Sequence, residues 1–191
     1  SSPRQMVEGR GASDGRGGGP VPPEYAGGIG DDGVLAIQDL VEEGGVLFTW
    51  SNAWTFLAEY MDVDVEAVNR GLPQTEFNIP GSILRVDVDT DNPLGYGLPK
   101  ETAIFFRNDD AWSPETPGSN VVALYPSEDL LLSGWIQGEQ YLVNQAAMLE
   151  IPRGKGRMVM AGFYPEYRAQ AHLTYKMMFN AIFYPRGEAS R

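Results

Sequence analysis

Helical and strand-like apolar periods alternate in the first third of the chain. A helical stripe predicts a helix with Asp31 or Asp32 as its N-cap and Gly44-Gly45 at its end; its apolar positions are Val34, Ile37, Leu40 and Val41. The continuous apolar run 46–50 is typical of a short parallel strand buried on both faces. A second helical stripe follows at Trp54, Leu57, Ala58 and Met61. This alternation favours an α/β domain with a doubly wound sheet.

Strand patterns dominate the rest of the chain. Apolar and polar residues alternate from 84 to 89, which predicts a half-buried strand. Further strand candidates are the segments 103–106, 121–125 and 130–136, and a hairpin around the turn PRGKG (152–156), with arms 146–151 and 157–163. A final helical stripe consists of Ala171, Tyr175, Met178 and Ile182. We therefore expect an α/β fold whose mostly parallel sheet gains antiparallel strands in its second half.

Composition divides the chain into three parts. Residues 1–30 are rich in Gly and Pro and lack an apolar period, so they predict an arm or linker. Residues 31–185 form the expected α/β domain, and 186–191 form a short tail. The chain begins SSPRQ without an initiator Met, and we therefore expect a processed piece or a segment of a longer protein.

Charge and cysteine content exclude several classes of function. The net charge is −12 over 191 residues and the pI is about 4.4, which argues against nucleic acid or an anionic membrane surface as a partner. The chain contains no Cys, so disulfides, thiolate metal sites and a Cys nucleophile are excluded. No apolar run approaches the ~20 residues of a membrane span. No cofactor is expected.

One segment has the pattern of a nucleophile elbow. Residues 44–57, GGVLFTWSNAWTFL, predict a buried strand, a sharp turn and the start of a helix. Such a turn would expose Ser51 beside backbone N–H groups that could stabilise an oxyanion. A serine nucleophile also needs a base within hydrogen-bond reach. Ser51 is therefore a candidate nucleophile whose base must be found elsewhere.

Two short motifs resemble class I glutamine amidotransferase-like domains. TWSNAW (49–54) is similar to the family's G-I-C-N-G-A elbow, with Ser51 at the Cys position and Asn52 matching. AGFYPE (161–166) is similar to its His-Pro-Glu strand end, with Tyr164 in place of the His and Glu166 retained. A tyrosine with a pKa near ~10 is a poor general base at neutral pH. The resemblance implies a flavodoxin-like fold in which the catalytic positions have degenerated.

A longer resemblance covers roughly residues 22–185. The order of the sequence blocks is similar to the amidotransferase-like domain at the C-terminus of large bacterial zinc carboxypeptidase (carboxypeptidase-A-like) proteins. This resemblance implies an accessory role, a larger parent protein and an extracellular or periplasmic location. The peptidase's zinc motif, His-x-x-Glu with a distant His, is absent from the chain. Peptidase activity is therefore not expected of it.

Other candidate residues have simpler interpretations. His172, the only His, is interpreted as a surface residue, with a binding or catalytic role as the alternative. The run VDVDTDN predicts an outward strand face and a turn; the alternative is a cation site at Asp87, Asp89 and Asp91. Trp112 lies in a polar segment and is a candidate interface contact.

Three hypotheses for function remain open. The first is a non-catalytic amidotransferase-like module that packs, oligomerises or positions a partner, the partner being the rest of a larger protein or another copy of the chain. The second is a hydrolase with Ser51 as its nucleophile. The third is a self-assembling structural subunit whose arm docks on the next copy.

Overall fold

Four helices and seven strands make up the described part of the chain. In the computed structural model, residues 2–9 and 26–184 are described. The helices are α1 (Pro3–Glu8), α2 (Gly30–Glu42), α3 (Thr55–Tyr60) and α4 (Thr174–Phe183). The strands are β1 (Val46–Trp50), β2 (Ser82–Val88), β3 (Glu101–Phe106), β4 (Asn120–Leu124), β5 (Leu131–Ser133), β6 (Ala146–Arg153) and β7 (Gly156–Ala161). None of the described helices has the length and apolarity needed to cross a membrane.

The strands form one mixed sheet. Their order is β1-β7-β6-β4-β2-β3, and β5 pairs with β2 beside this path. The α/β class and the antiparallel strands of the second half are confirmed. The expected predominance of parallel pairing is not, because β1 and β7 are the parallel pair and the other paired strands run antiparallel. The tight β6–β7 hairpin accounts for one of these antiparallel pairs, since a short turn can join only antiparallel strands.

Helices cover both faces of the sheet. One apolar cluster joins α1, α2 and α3 to Met158 and Met160 of β7, and the other joins α4 to Val159 of the same strand. Successive side chains of a strand point to opposite faces, so β7 contributes to both clusters. The expectation of helices wound on both sides of the sheet is thereby confirmed.

The buried faces of two helices differ in detail from the sequence pattern. In α2 the N-cap is Ile29, and Asp31 and Asp32 lie in the first turn instead, where their charges suit the helix dipole. In α4 the buried positions are Thr174, Met177 and Ala181, whereas Ile182 is exposed. The predicted α4 stripe is therefore wrong by one position, because apolar residues lie on more than one face of this helix and the pattern does not select the buried one.

The predicted arm contains a short helix. Ser2 caps α1 through a reciprocal pair of bonds with Gln5, and Val7 is buried against α2 and α3. Ile29 N donates to Met6 O at 3.0 Å, which ties the end of the arm to this helix. Residues 2–9 therefore pack on their own chain. The remainder of the arm (10–25) and the predicted tail lie outside the described residues.

Gly162, which follows β7, provides a test of the packing at this end of the sheet. A Cβ there would meet the carbonyl oxygen of Asp110 and approach the Trp112 ring to 3.2 Å. Gly162→Ala should lower the free energy of unfolding by about 1–3 kcal/mol, because backbone must shift to admit the methyl group. Urea denaturation measures this loss. Gly27→Ala is the matched control, since no atom lies within 4 Å of its added Cβ; equal stability of the two variants would contradict the packing described.

Candidate functional site

Three chain segments meet at the carboxyl ends of strands that point the same way. The pairing directions give β1, β7 and β3 a common orientation, yet β1 and β3 lie at opposite ends of the strand order. A backbone bridge overcomes this separation: Tyr164 N, beyond β7, donates to Phe105 O of β3 at 3.1 Å. The segments that follow the three strands therefore line one cleft.

The elbow predicted after β1 is present. Ser51 begins a 3-10 turn, Ser51–Trp54, that leads into α3, and its φ of 50° lies in the left-handed region. A non-glycine residue in this region costs of order 1 kcal/mol and needs support from its surroundings. The Ser51 side chain has that support, since its Oγ donates to Asp109 Oδ1 at 2.5 Å. The expectation that the turn exposes Ser51 is wrong, because this bond draws the side chain inward and leaves the residue only 7% exposed.

Asp109 is a buried carboxyl group, 5% exposed. Its Oδ2 accepts a hydrogen bond from Arg107 N at 3.1 Å. Burial raises the pKa of Asp109 from 3.8 to about 6, although the bonds from Ser51 and Arg107 favour the charged form and offset part of this rise. The nearby charge of Asp110 acts in the same direction as burial. The pKa of Asp109 therefore lies well above that of an ordinary aspartate.

Asn69 fixes the backbone on both sides of the acidic pair. Its Nδ2 donates to Asp109 O at 2.7 Å, and its Oδ1 accepts from Ala111 N at 2.9 Å. Trp54 Nε1 donates to Asp110 Oδ2 at 2.7 Å. Side chains from the elbow and from residue 69 thus hold the segment after β3 by hydrogen bonds to three successive residues.

The cleft itself is open and polar, with a volume of about 420 Å³. It is lined chiefly by side chains from the elbow, from the segment after residue 68, from the segment after β3 and from the end of β7: Ser51, Asn52, Asn69, Arg70, Gly71, Leu72, Gln74, Phe77, Arg107, Asn108, Asp109, Asp110 and Tyr164. Such a surface suits a small polar ligand better than an apolar one.

The structure brings together only part of the predicted site. Ser51, Asn52 and Tyr164 line the cleft. Glu166 is exposed at the start of a further 3-10 turn and does not line it. His172 is also exposed, with its ring stacked on Tyr175 at 6.4 Å. Because His172 is the only His of the chain, no imidazole lies in this cleft.

The sequence suggested Trp112 as an interface contact, and the structure contradicts this prediction. It is fully buried and meets Trp54 edge to face, with ring centroids 5.8 Å apart. Its backbone pairs with Ala146 in both directions, which draws the polar segment around it into the domain. The surrounding polar residues hid this burial from the sequence pattern.

The three aspartates of the VDVDTDN run do not line the cleft. Asp87 is part of β2, while Asp89 and Asp91 are exposed and linked by the bond from Asp91 N to Asp89 Oδ1. The neighbouring Asn92 caps a 3-10 turn at Leu94. Within residues 2–9 and 26–184, no three His, Cys, Asp or Glu side chains are grouped so as to hold a metal ion.

Asp109 and Asn69 are the residues that sequence reasoning missed. A signal was present in NDD (108–110), an abrupt polar run directly after the apolar end of β3. Polar residues at a strand end often belong to a site. The partner of Ser51 could not be read from this run, because 58 residues separate Ser51 from Asp109.

Comparison with known proteins gives distant structural similarity. No protein-family model and no curated protein matches the chain. It is similar to a protein described as a GMP synthase subunit from Thermoplasma acidophilum, with 14% identity, a TM-score of 0.47, and coverage of 80% of this chain and 63% of that one. It is also similar to a glutamine amidotransferase from Thermotoga maritima, with 13% identity, a TM-score of 0.44, and coverage of 78% of this chain and 52% of that one. A third similar structure is a β-galactosidase from Bacillus circulans, with 11% identity, a TM-score of 0.47, and coverage of 80% of this chain and 20% of that one. The chain thus spans less than two thirds of each, and scores this low assign it no activity.

Removal of the Asn69 side chain tests whether its two bonds hold the site. Asn69→Ala would leave Asp109 O and Ala111 N without these partners in a buried setting, and should cost about 2–4 kcal/mol of unfolding free energy. This loss of unfolding free energy is measured by chemical denaturation, with Trp fluorescence as the signal. Asn52→Ala, at an exposed position of the same cleft, is the control and should change stability little; a similar small effect for both would show that Asn69 is dispensable.

The raised pKa of Asp109 predicts a specific pH dependence of stability. Its folded pKa of about 6 lies above the ordinary value of 3.8, so its contribution to stability is fully present below pH ~4 and is lost as the pH rises through ~6. Asp109→Asn removes this titration. The unfolding free energy of the variant relative to the wild type should therefore rise between pH ~4 and ~7, by at most about 3 kcal/mol.

The measurement is a set of denaturation curves across this pH range. Asp64→Asn removes the same charge from an exposed position and serves as the control for the change in net charge. If the difference in unfolding free energy between the wild type and Asp109→Asn stays constant with pH, the buried carboxyl group described here is contradicted.

Proposed function

We propose that this chain is a non-catalytic, glutamine amidotransferase-like accessory module that packs against or positions a partner. The observation that supports it best is the hydrogen bond from Ser51 Oγ to Asp109, in a cleft without an imidazole. The side chain at the nucleophile position is thereby used to hold two loops together.

Chemistry at the elbow supports the same proposal. An amidotransferase nucleophile needs a thiolate or an equivalent base-activated group, and the chain has no Cys. In a serine triad the carboxylate orients a histidine, which takes the proton from the serine. Asp109 contacts the serine directly instead. A carboxylate is a much weaker base than an alkoxide, so the Ser51 hydroxyl group keeps its proton in the resting protein.

The outer surface of α4 supports a partner-binding role. Phe179, Ile182 and Phe183 are 58%, 71% and 79% exposed, and they occupy successive turns of one helical face. Exposed apolar groups of this size on adjacent positions are typical of a protein contact. We propose that the contact is made with the rest of a larger, zinc carboxypeptidase-like parent, or with another copy, outside the cytoplasm. Since α1 packs on its own chain, arm exchange between copies receives no support from residues 2–9.

A serine hydrolase is the second candidate. It is favoured by the φ of 50° at Ser51, directly after a parallel strand, since nucleophile elbows have this strained form. In this alternative Asp109 would be the base, and its pKa of about 6 would give activity that rises with pH through ~6.

Covalent labelling separates the two candidates. The wild-type chain incubated with a fluorophosphonate should show no mass adduct, and hydrolysis of p-nitrophenyl acetate or glutamine should equal that of Ser51→Ala, because the hydroxyl group has no activating base. Intact-mass spectrometry and the release of nitrophenol or ammonia provide the readouts. An adduct that is lost in Ser51→Ala but kept in Ser133→Ala, a matched change at another serine, would establish the hydrolase instead.

A further inference from the structure

The arginines of the described chain divide into two groups. Arg4, Arg85, Arg153 and Arg157 each form an ion pair with a carboxylate. Among the residues that the structure describes, Arg70, Arg107 and Arg168 have no such pair. Arg70 and Arg107 both line the cleft. In a chain of net charge −12, guanidinium groups left without carboxylate partners at one cleft call for an explanation.

Arg70 is supported on a rigid aromatic surface. Its Cζ lies 4.9 Å from the centroid of the Trp54 ring, and Trp54 is buried and held by its bond to Asp110. This cation–π contact positions the guanidinium group of Arg70 beside the cleft. Among the described residues its side chain makes no ion pair.

Arg107 is positioned through its backbone. Its N–H donates to Asp109 Oδ2, while its side chain is exposed in the cleft. Among the described residues neither carboxylate of the cleft forms an ion pair with Arg70 or Arg107, although the charge of Arg107 offsets part of the rise that burial causes in the pKa of Asp109. Asp109 and Asp110 instead accept hydrogen bonds that hold the loop structure.

Further donors surround the two arginines. Asn52, Gln74 and Tyr164 line the same cleft, and their side chains make no hydrogen bond to any residue of the described part. Arg168 lies over the ring of Tyr167, at 5.2 Å, and that ring is 5.8 Å from Tyr164. Two of the three guanidinium groups that lack an ion pair within residues 2–9 and 26–184 therefore line the cleft, together with neutral donors.

We propose that this cleft binds a small oxyanion, a molecule that carries a carboxylate or phosphate group, through Arg70 and Arg107. Guanidinium groups bind both anions by paired, charge-assisted hydrogen bonds. Asn52, Gln74 and Tyr164 would contact the remaining polar atoms, and about 420 Å³ accommodates a ligand of a few carbon atoms. The binding involves no bond breaking, so it goes beyond the proposed function and does not depend on whether Ser51 reacts.

The test is a titration of the full chain with inorganic phosphate and, separately, with glutarate, by calorimetry and by amide chemical shifts. Glutaramide, which has the shape of glutarate without its charge, is the ligand control. We expect saturable binding of at least one anion, weakened about tenfold or more in Arg70→Gln and in Arg107→Gln, the size expected for a lost charge-assisted bond. Arg85→Gln, which removes an arginine outside the cleft, should bind as the wild type does.

The outcomes separate the possibilities. Saturation by phosphate alone or by glutarate alone supports the proposal and identifies the anion. Absence of saturation with both, equal binding of glutaramide, or equal loss in Arg85→Gln would overturn it. Circular dichroism of each variant establishes that it is folded, and both cleft arginines are exposed, so their replacement leaves the core intact. Release of ammonia in the glutaramide samples tests the proposed function independently, because turnover would refute that proposal while leaving the anion-binding result unchanged.

Discussion

The hydrogen bond between Ser51 and Asp109 joins parts of the sheet that the strand order keeps apart. Ser51 follows β1 at one end of that order, and Asp109 follows β3 at the other. Holding them together requires a strained backbone at Ser51 and a carboxyl group removed from water, and both cost free energy. The bond survives because each cost is offset locally: the carboxylate accepts from Ser51 and Arg107 N, and the serine conformation places its hydroxyl group on the acid.

Neighbouring groups extend this bond into a buried hydrogen-bond network. Asn69 ties the backbone of Asp109 and Ala111, while Trp54 ties the side chain of Asp110 and packs on the fully buried Trp112. Buried polar networks are stabilising only when their members are satisfied. The side chains of Ser51, Asn69, Asp109 and Asp110 are therefore committed to the fold by their hydrogen bonds.

The elements of this fold were largely predictable, and their arrangement was not. Strand β1, strand β2 and the β6–β7 hairpin follow from local apolar patterns and turn residues, and so does the turn at Ser51. The buried face of α4 and the burial of Trp112 were misjudged, since the first depends on which of several apolar positions meets the sheet and the second on distant residues such as Ala146. Asp109 was missed for the same reason: its role exists only once β3 and β1 point the same way.

The position of positive charge follows from the same constraint. Asp109 and Asp110 accept hydrogen bonds from Ser51, Arg107 N and Trp54, and among the described residues neither forms an ion pair with Arg70 or Arg107. Arg70 and Arg107 are exposed in the cleft, where their charges attract an anion that the acidic chain as a whole repels. The use of Ser51 to hold the loops and the proposed binding of an anion are compatible, since the side chains that bond to one another and the arginines that would hold a ligand are different groups of the same cleft.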